Sequence, residues 1–365
     1  MTTVLAFGTY NIRKHPRVGI LIDGLRKNGC DVMEINRPLA LSTAQRVEIL
    51  NKPWKLGGFI WRLLTLWRDL RRDARQWMAI NGKPDAVLVG YMGHFDVLLA
   101  RRIFKNVPII LDHLIFAGDT AKDRGAKGIK ITLLNKLDHM ATHAADLVVV
   151  DTAEHQHMLD DDVRSMVVPV GSPDEWYTAG ERSPLDQREG IVFFGLYTPL
   201  QGTPVIAQAL VDLAQRGITP HVTMIGKGQD YPQVRAITQH LDTVEFREWV
   251  EPEALPNVVA SHAIALGIFS TTPKGLHVVP NKVYQSMAAG CAVITSDTAP
   301  QRRMLGDGVI FVEPGNHEAL ANAIEQLITN CHSLEDASRA AISVAEQFRP
   351  QEVCEQLAQW VRARQ

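Results

Sequence analysis

Two hydrophobic patterns alternate along the chain. Short apolar runs such as Leu147–Asp151 and Ile191–Phe194 are each followed by longer stretches with apolar residues three or four positions apart. Short apolar runs bounded by turns are typical of strands buried on both faces, whereas the longer spacing predicts helices. Because the two patterns alternate, the chain is predicted to form α/β structure with parallel sheets covered by helices on both faces.

The predicted elements form two series. In the first half, strands are expected at Thr3–Gly8, Asp31–Asn36, Ala86–Tyr91, Val107–Asp112, Leu147–Asp151 and Met166–Pro169, with helices such as Arg17–Asn28 and Phe95–Phe104. In the second half, strands are expected at Ile191–Phe194, His221–Ile225, Val244–Phe246, Ala263–Ile268, Ala292–Thr295 and Val309–Val312. The helices of the second half are expected at Pro204–Arg216, Pro252–Ala260, Asn281–Ala289, His317–Asn330 and Asp336–Gln347.

A polar segment rich in glycine and proline separates the two series. Residues 173–190 lack periodicity and are therefore predicted to be a linker between domains 1–172 and 191–349. The final segment, 350–365, reads as a helix that packs back on the first domain. Ligands of doubly wound sheets bind beyond the carboxyl ends of the strands, so the two domains are predicted to face each other across a cleft.

Composition narrows the functional classes. The 365 residues carry a formal net charge of −2, which gives no general attraction to nucleic acid. Four scattered cysteines, without a CxxC pair, predict free thiols and a cytoplasmic location. The N-terminal segment reads as a strand, not a signal peptide, and no apolar run reaches the roughly 18–20 residues of a membrane span.

The stretch Ser270–Asp297 carries the strongest chemical signal. It reads as a loop (Thr271–Pro280), a short helix and a buried strand, with Asn281 as the predicted N-cap and Gly290 at the left-handed C-terminal position. The first helical turn offers backbone N–H groups, the positive end of the helix dipole and Lys282. This combination suits a phosphate group.

Two glycine-containing turns follow strands of the same predicted sheet. Gly195 and Gly202 flank one turn and would let backbone amides approach a ligand closely. Lys227 lies between Gly226 and Gly228 in the other turn, which suits a nucleotide base or phosphate. Taken alone, the first turn is better explained as an ordinary strand-to-helix connection, and Lys227 is equally well explained as a solvated lysine.

Together these segments resemble the C-terminal domain of GT-B glycosyltransferases, specifically the retaining family 4 (glycosyltransferase group 1). The resemblance is good over Ile191–Asn330 and weaker over the first half. The matching motifs are Phe194-Gly-Leu with Leu200-Gln-Gly, Ile225-Gly-Lys-Gly, Val244–Val250, Val279–Asp297 and the segment that begins Gly308-Val-Ile-Phe-Val-Glu-Pro.

The resemblance implies a GT-B fold and transfer of a sugar, with retention, from a nucleotide diphosphate sugar such as a UDP or GDP sugar to an acceptor hydroxyl. No metal and no other cofactor is expected, because no DxD motif follows a strand. Lys282, the Gly195–Leu196 backbone and the first turn at Asn281 would hold the diphosphate. The remaining donor positions are Gln201, Gly226, Lys227, Val250, His277 and Gln285, with Lys227 and Val250 near the base and Gln285 at the ribose.

The sequence departs from the family pattern at several donor positions. The family usually carries two glutamates eight positions apart, where this chain has His277 and Gln285. The usual arginine and lysine after the first glycine are Leu196 and Gln201 here. An amide can still hydrogen-bond a ribose diol but brings no charge. The alternatives are therefore a GT-B nucleotide-sugar epimerase and a non-catalytic GT-B protein that acts as a binding or assembly partner.

Two segments of the first half are expected on the acceptor side. A predicted strand ends at Asp112 and His113, and the resemblance implies that a polar residue there faces the reacting sugar. Either side chain could be catalytic by orienting the acceptor or stabilising an oxocarbenium-like charge; a histidine that caps a helix is the alternative. The loop from Gly8 through Arg13 to Arg17 would hold an acceptor or a phosphate, or be a solvated basic loop.

Residues 52–77 form an unusual basic and aromatic segment. It holds four of the seven tryptophans and more lysines and arginines than aspartates. Such a helix suits an anionic membrane surface and hence a lipid-linked acceptor, with the protein peripheral on the inner face of the membrane. The alternative is a core helix with a solvated basic face.

Overall fold

The chain divides into two compact units in the computed structural model, which describes residues 2–12, 15–39, 56–90, 92–123 and 127–364. The first unit comprises Met1–Pro169 with Val353–Gln365, and the second comprises Val170–Glu352. Each unit is built on a six-stranded parallel sheet with helices between the strands. The predicted α/β class, with two doubly wound Rossmann-like domains, is confirmed.

The sheet of the first unit has the strand order β2-β1-β3-β4-β5-β6. Its strands are β1 (Thr3–Gly8), β2 (Asp31–Asn36), β3 (Ala86–Val89), β4 (Ile109–Asp112), β5 (Leu147–Val150) and β6 (Ser165–Val167). Its helices are α1 (Arg17–Lys27), α2 (Leu56–Asn81), α3 (Asp96–Ile103), α4 (Ala117–Asp123), α5 (Ile129–His143) and α6 (Ala153–Gln156). Strands β3, β4 and β5 are buried throughout because helices cover both faces of the sheet.

The sheet of the second unit has the strand order β12-β11-β10-β7-β8-β9. Its strands are β7 (Ile191–Phe194), β8 (Val222–Ile225), β9 (Val244–Arg247), β10 (Ile264–Leu266), β11 (Ala292–Ser296) and β12 (Ile310–Val312). The helices after the first unit are α7 (Asp174–Glu181), α8 (Thr203–Gln215), α9 (Tyr231–Ile237), α10 (Leu255–Ala260), α11 (Pro273–Leu276), α12 (Asn281–Ala288), α13 (Ala299–Leu305), α14 (His317–Thr329), α15 (Cys331–Ala345) and α16 (Pro350–Arg362). The chain reverses direction across the sheet between β7 and β10, and such a switch point is where open α/β sheets bind ligands.

Residues 173–190 differ from the irregular linker that the sequence predicted. They contain helix α7, whose Trp176 and Tyr177 are buried. Trp176 stacks on Phe194 with ring centroids 5.5 Å apart, and the Tyr177 hydroxyl donates to the carbonyl of Ala345 at 2.7 Å. The segment was misread because α7 is too short for its apolar residues to show a helical period.

The starts of helices α12 and α15 differ from the predictions, as does the loop before α12. Asn281 is the first helical residue of α12 and not its N-cap; Pro280 holds the cap position and provides no side-chain hydrogen bond. The predicted loop before it contains helix α11, which is capped by Thr272 through a 3.2 Å hydrogen bond from Gly275 N–H. Helix α15 begins at Cys331, ahead of the predicted start, because Asn330 caps it. Gly290 has the expected left-handed backbone, with φ +77°.

The C-terminal helix α16 contributes to the first unit from Val353 onward. Cys354 Sγ lies 3.8 Å from the carbonyl of Ile20 in α1, and the Arg362 guanidinium donates to the carbonyl of Asn28 at 2.5 Å. Residues of α16 therefore cover α1. In the part of the chain that the structure describes, no helix combines the length and apolar character that crossing a bilayer requires.

Candidate functional site

Lys282 lies at the switch point of the second sheet, on the first turn of α12. Only 6% of the residue is exposed. No hydrogen-bond partner for Nζ is found among the described residues. Nζ instead lies over the face of Phe193 in β7, 3.6 Å from the ring centroid. Burial lowers the pKa of Lys282 well below its usual value, because the ammonium has lost water without gaining an anion.

Gly195 brings the backbone after β7 next to this lysine. Its φ is +144°, and a Cβ built there would lie 2.9 Å from Lys282 Nζ and 3.8 Å from Gln201 Oε1. The Gln201 oxygen is also buried, with no hydrogen-bond partner in the described chain. The sequence predictions for Gly195, Gln201 and Lys282 therefore fall on one point of the fold, where an unpaired donor and an unpaired acceptor converge.

The other glycines of these turns serve loop packing, which the sequence did not reveal. A Cβ on Gly226 would lie 1.9 Å from the carbonyl oxygen of Gly195, and one on Gly228 would lie 2.3 Å from that of Tyr197. A Cβ on Gly202 would lie 2.5 Å from the backbone of Phe269. The loops after β7, β8 and β10 thus touch backbone to backbone, and the glycines are needed for that contact.

The positions expected near the nucleotide base are more open. Lys227 is exposed and forms an ion pair with Glu248, so its charge is already compensated in part. Val250 is half-buried in the loop after β9, beside Trp249, which is 69% exposed. Leu196, at 55% exposed, presents an apolar side chain next to Gly195. An exposed tryptophan and leucine offer flat apolar surface, although the sequence did not single out Trp249.

The remaining positions predicted to bind the donor lie along α11 and α12. His277 follows α11 and is exposed, as is Asn281 at the start of α12. Gln285 is half-buried one turn after Lys282, so the two side chains lie on neighbouring positions of one helix face. The structure thus places Gln285 near Lys282 and leaves His277 at the surface.

In the first unit, Asp112 and Arg17 form a buried ion pair. Arg17 Nε lies 3.1 Å from Asp112 Oδ1, and both side chains are at most 1% exposed. The same guanidinium donates to the carbonyl of Val168 at 2.8 Å and to that of Pro169. Arg17 is therefore buried, which contradicts the alternative of a solvated position, and the Asp112 carboxylate is buried at the end of β4. The pair joins the start of α1, the end of β4 and the segment after β6.

His113 is buried beside Asp112, with 2% of the residue exposed. Its ring packs edge-on against His94 and Phe116, with centroids 4.9 and 4.7 Å away. Burial lowers the pKa of His113 to about 3, so its imidazole is neutral at physiological pH. Nε2 is buried without a hydrogen-bond partner among the described residues and lies 3.8 Å from Asp138 Oδ1.

His94 and Asp138 form a hydrogen-bonded pair beside His113, which the sequence did not reveal. His94 Nε2 is 2.9 Å from Asp138 Oδ1, and Asp138 also accepts hydrogen bonds from the backbone of Ala117 and Gly118. These bonds lower the pKa of Asp138 against the opposing effect of burial. Forty-four residues separate His94 from Asp138, so neither spacing nor local pattern signals the pair.

Two groups of side chains in the described chain have the donor types of a metal site. One is buried and comprises His94, His113 and Asp138; the other is exposed and comprises His139, His143 and Asp160. Imidazole and carboxylate ligands suit zinc and similar transition metals. The sequence predicted no metal site, and neither group lies in the second unit.

The loop after β1, which the sequence predicted on the acceptor side, is held by a buried carboxylate. Asp96 accepts hydrogen bonds from the backbone N–H and hydroxyl of Thr9, at 2.7 and 2.8 Å, and from Trp67 Nε1 at 3.0 Å. Gly8 precedes this contact, and a Cβ there would lie 3.0 Å from Asp96 Oδ2. Gly8 thus allows the loop to close on Asp96, whereas Arg13 lies outside the described residues.

Comparison with known families assigns the second unit. Residues 188–330 match the profile described as glycosyl transferases group 1. This stretch of the chain is therefore similar to a group 1 glycosyltransferase domain. The matched range holds every donor position that the sequence predicted, and the predicted resemblance is confirmed over this part of the chain. A search of curated proteins finds no match.

Solved structures extend the likeness to the whole chain. Sucrose-phosphate synthase from Thermosynechococcus elongatus superposes with a TM-score of 0.69 at 13% identity, covering 100% of this chain and 99% of that one. Anabaena HepE in complex with UDP-glucose gives 0.64 at 15% identity, covering 99% of each chain. A glycosyltransferase from Rickettsia africae gives 0.64 at 12% identity, covering 99% and 98%. At these identities the likeness shows the fold alone. Over the whole chain that fold is GT-B.

Proposed function

We propose that the protein is a glycosyltransferase that takes a sugar from a nucleotide diphosphate sugar and transfers it to an acceptor hydroxyl. The observation that carries the proposal is the buried ammonium of Lys282, which has no hydrogen-bond partner among the described residues of a group 1 glycosyltransferase domain. A buried charge without a counter-ion is costly, so a cationic side chain in this state is suited to an anionic ligand.

The diphosphate would lie between Lys282, the Gly195 backbone and the start of α12. Binding there would give the ammonium its missing anion, and the dipole of α12 would add partial positive charge. The same groups would stabilise the negative charge that develops on the leaving diphosphate during transfer. Lysine and helix end together supply the role that a metal ion would otherwise fill.

The nucleoside would extend from the diphosphate toward the exposed side of the domain. Gln285 would hydrogen-bond the ribose, and the surface of Lys227 and Val250 would meet the base. A uridine nucleotide is the favoured donor, because HepE, whose fold the chain shares, was solved with UDP-glucose.

Further parts of the proposal concern the acceptor and the stereochemistry. Transfer would proceed with retention, and the acceptor would be lipid-linked, at the cytoplasmic face of a membrane. His113 would act from the first unit as a neutral imidazole, because burial lowers its pKa to about 3. As a neutral group it could accept a hydrogen bond from an acceptor hydroxyl without adding positive charge beside an oxocarbenium-like centre.

Nucleotide binding tests the proposal first. Thermal unfolding would be followed with UDP, GDP, ADP and TDP; a nucleotide at 100 times its Kd stabilises the folded state by about 2.7 kcal/mol. Release of UDP from UDP-sugars would then be measured with and without a membrane extract. Stabilisation by UDP followed by extract-dependent UDP release supports transfer, whereas no stabilisation by any of the four nucleotides contradicts the donor assignment.

The same experiment separates the alternatives that the departures at His277 and Gln285 raise. A non-catalytic GT-B protein would be stabilised by UDP without releasing it from any UDP-sugar. A nucleotide-sugar epimerase would convert one UDP-sugar into its epimer with no need of extract, which nuclear magnetic resonance of the sugar would detect.

A further inference from the structure

Helix α2 presents a mixed apolar and basic stripe to solvent. Trp61, Leu64, Arg68, Arg71 and Arg75 follow one another at intervals of three or four residues and are all exposed, so they share one face. Trp61 is 72% exposed and Leu64 55% exposed. The stripe is apolar in the N-terminal part of the helix and basic in the C-terminal part.

Helix α5 presents a second stripe of the same kind. Ile129, Leu133, Lys136 and Met140 are spaced by three or four residues and are exposed. Ile129 is 80% exposed and Leu133 63% exposed, which are high values for large aliphatic side chains. Again the side chains nearest the helix N-terminus are apolar.

The strand order places α2, α3 and α5 on one face of the first sheet. Each connects a strand to one further along the order β2-β1-β3-β4-β5, and right-handed connections in one direction put all their helices on the same side. Their N-termini follow the carboxyl ends of the strands and so lie at one end of the sheet. Phe59 of α2 contacts Phe95, directly before α3, at 6.3 Å between ring centroids.

The charge of this surface, which we call the outer helical face (the exposed side chains of α2, α3 and α5), is positive. Among the described residues of the three helices, no aspartate or glutamate is exposed. Asp69 and Asp73 are partly buried and pair with Arg72 at 3.5 and 3.2 Å, and Asp96 and Asp138 are buried. The exposed cations of the outer helical face are Arg62, Arg68, Arg71, Arg72, Arg75, Arg102 and Lys136.

We propose that the outer helical face binds the surface of a bilayer rich in anionic lipid, with Trp61, Leu64, Ile129 and Leu133 among the headgroups and the arginines over lipid phosphates. Apolar side chains beside cations are the pattern of helices that lie in a membrane interface. A protein partner fits less well, because the apolar side chains are spread over two helices and are not gathered in a central pocket.

This surface extends the predicted segment 52–77 to two further helices and needs neither donor nor acceptor. Lipid binding is measured without nucleotide or sugar, so its failure leaves the proposed transfer reaction standing, and the failure of transfer leaves the surface standing. The contact is peripheral, since no described helix can span the bilayer.

Vesicle binding tests the proposal. The full chain would be sedimented with phosphatidylcholine vesicles and with vesicles in which about a third of the lipid is phosphatidylglycerol. We expect at least about tenfold stronger partitioning to the anionic vesicles, because several cations act together. Equal partitioning to both kinds of vesicle, or no partitioning to either, would overturn the proposal.

Two variants and a matched control locate the contact. Arg71→Glu with Arg75→Glu should lower partitioning to anionic vesicles more than about tenfold, whereas Arg235→Glu with Arg339→Glu, exposed in the second unit, should lower it far less. Arg71→Gln with Arg75→Gln repeats the test should the charge reversal misfold. Brominated lipid should quench the fluorescence of Trp61, so the total tryptophan quenching should be smaller in Trp61→Phe than in the native chain. Equal quenching in the two proteins would place the contact elsewhere.

Discussion

Replacing Lys282 by methionine tests the donor site most directly. Methionine keeps much of the length of the side chain and removes the ammonium, which is buried over Phe193 without a hydrogen-bond partner among the described residues. A hydrogen bond to a charged group contributes about 1.5–3 kcal/mol, so the Kd for UDP should rise about 10- to 150-fold. Isothermal calorimetry would measure this change. Unchanged UDP affinity in Lys282→Met would refute the diphosphate assignment.

The pH dependence of stability gives an independent readout of the same substitution. Burial lowers the folded-state pKa of Lys282. Below that pKa the buried charge lowers the unfolding free energy by its full amount. This effect shrinks by about 1.4 kcal/mol per pH unit as the pH rises from the folded pKa to the unfolded value near 10.4, and then vanishes. Without ligand, Lys282→Met should therefore be more stable than the native protein at neutral pH, and the difference should fall at alkaline pH in urea denaturation.

Lys227→Met is the comparison variant for both experiments. Lys227 is exposed and paired with Glu248, and exposed ion pairs contribute about 0–1 kcal/mol. Its substitution should change the Kd for UDP less than about fivefold and leave the pH dependence of stability as it is. A larger loss of UDP affinity in Lys227→Met than in Lys282→Met would move the diphosphate to the turn after β8.

Two further pairs of variants test the packing of the turn after β8 and the buried ion pair of the first unit. Gly226→Ala should lower the unfolding free energy by more than about 3 kcal/mol, because φ is +121° and the new Cβ would overlap the Gly195 carbonyl; Gly57→Ala, in open space on α2, should raise it by about 0.5–1 kcal/mol. Arg17→Met should cost about 3–5 kcal/mol by leaving Asp112 buried and alone, and Arg17→Met with Asp112→Leu should recover much of it. Urea unfolding curves measure all four; equal stability of the two glycine variants, or a double variant no more stable than Arg17→Met alone, would contradict these accounts.

The strands and most helices could be predicted because burial on both faces leaves a clear apolar pattern. Strand β7 was predicted with its observed bounds, and the start of α12 was placed one residue from its cap. Helix α7 was missed because its helical character depends on Trp176 and Tyr177 packing against residues distant in sequence, such as Phe194 and Ala345. A local pattern holds no information about such partners.

The candidate site could be predicted only where its residues are local. Lys282 and Gln285 share one helical turn and Gly195 opens one loop, so local pattern was sufficient to propose a phosphate site there, whereas Gln201 and the ribose role of Gln285 came from the resemblance to the family. The ion pair of Arg17 with Asp112 spans 95 residues and removes both groups from the surface, which no spacing rule reveals. The sequence therefore singled out both residues but did not reveal that they are buried against each other.

The first unit is built from two separate segments of the chain, so it can be completed only after the second unit has been synthesised. Val353, Cys354, Leu357 and Val361 of α16 are buried in the unit that begins at Met1, so α1 stays uncovered while residues 170–352 are made. At about 5–20 residues per second, the ribosome needs about 10–40 s for that segment. During that time the apolar surface around Ile20 and Leu21 is open to chaperones, and a ribosome that stalls there would leave a first unit without its last helix.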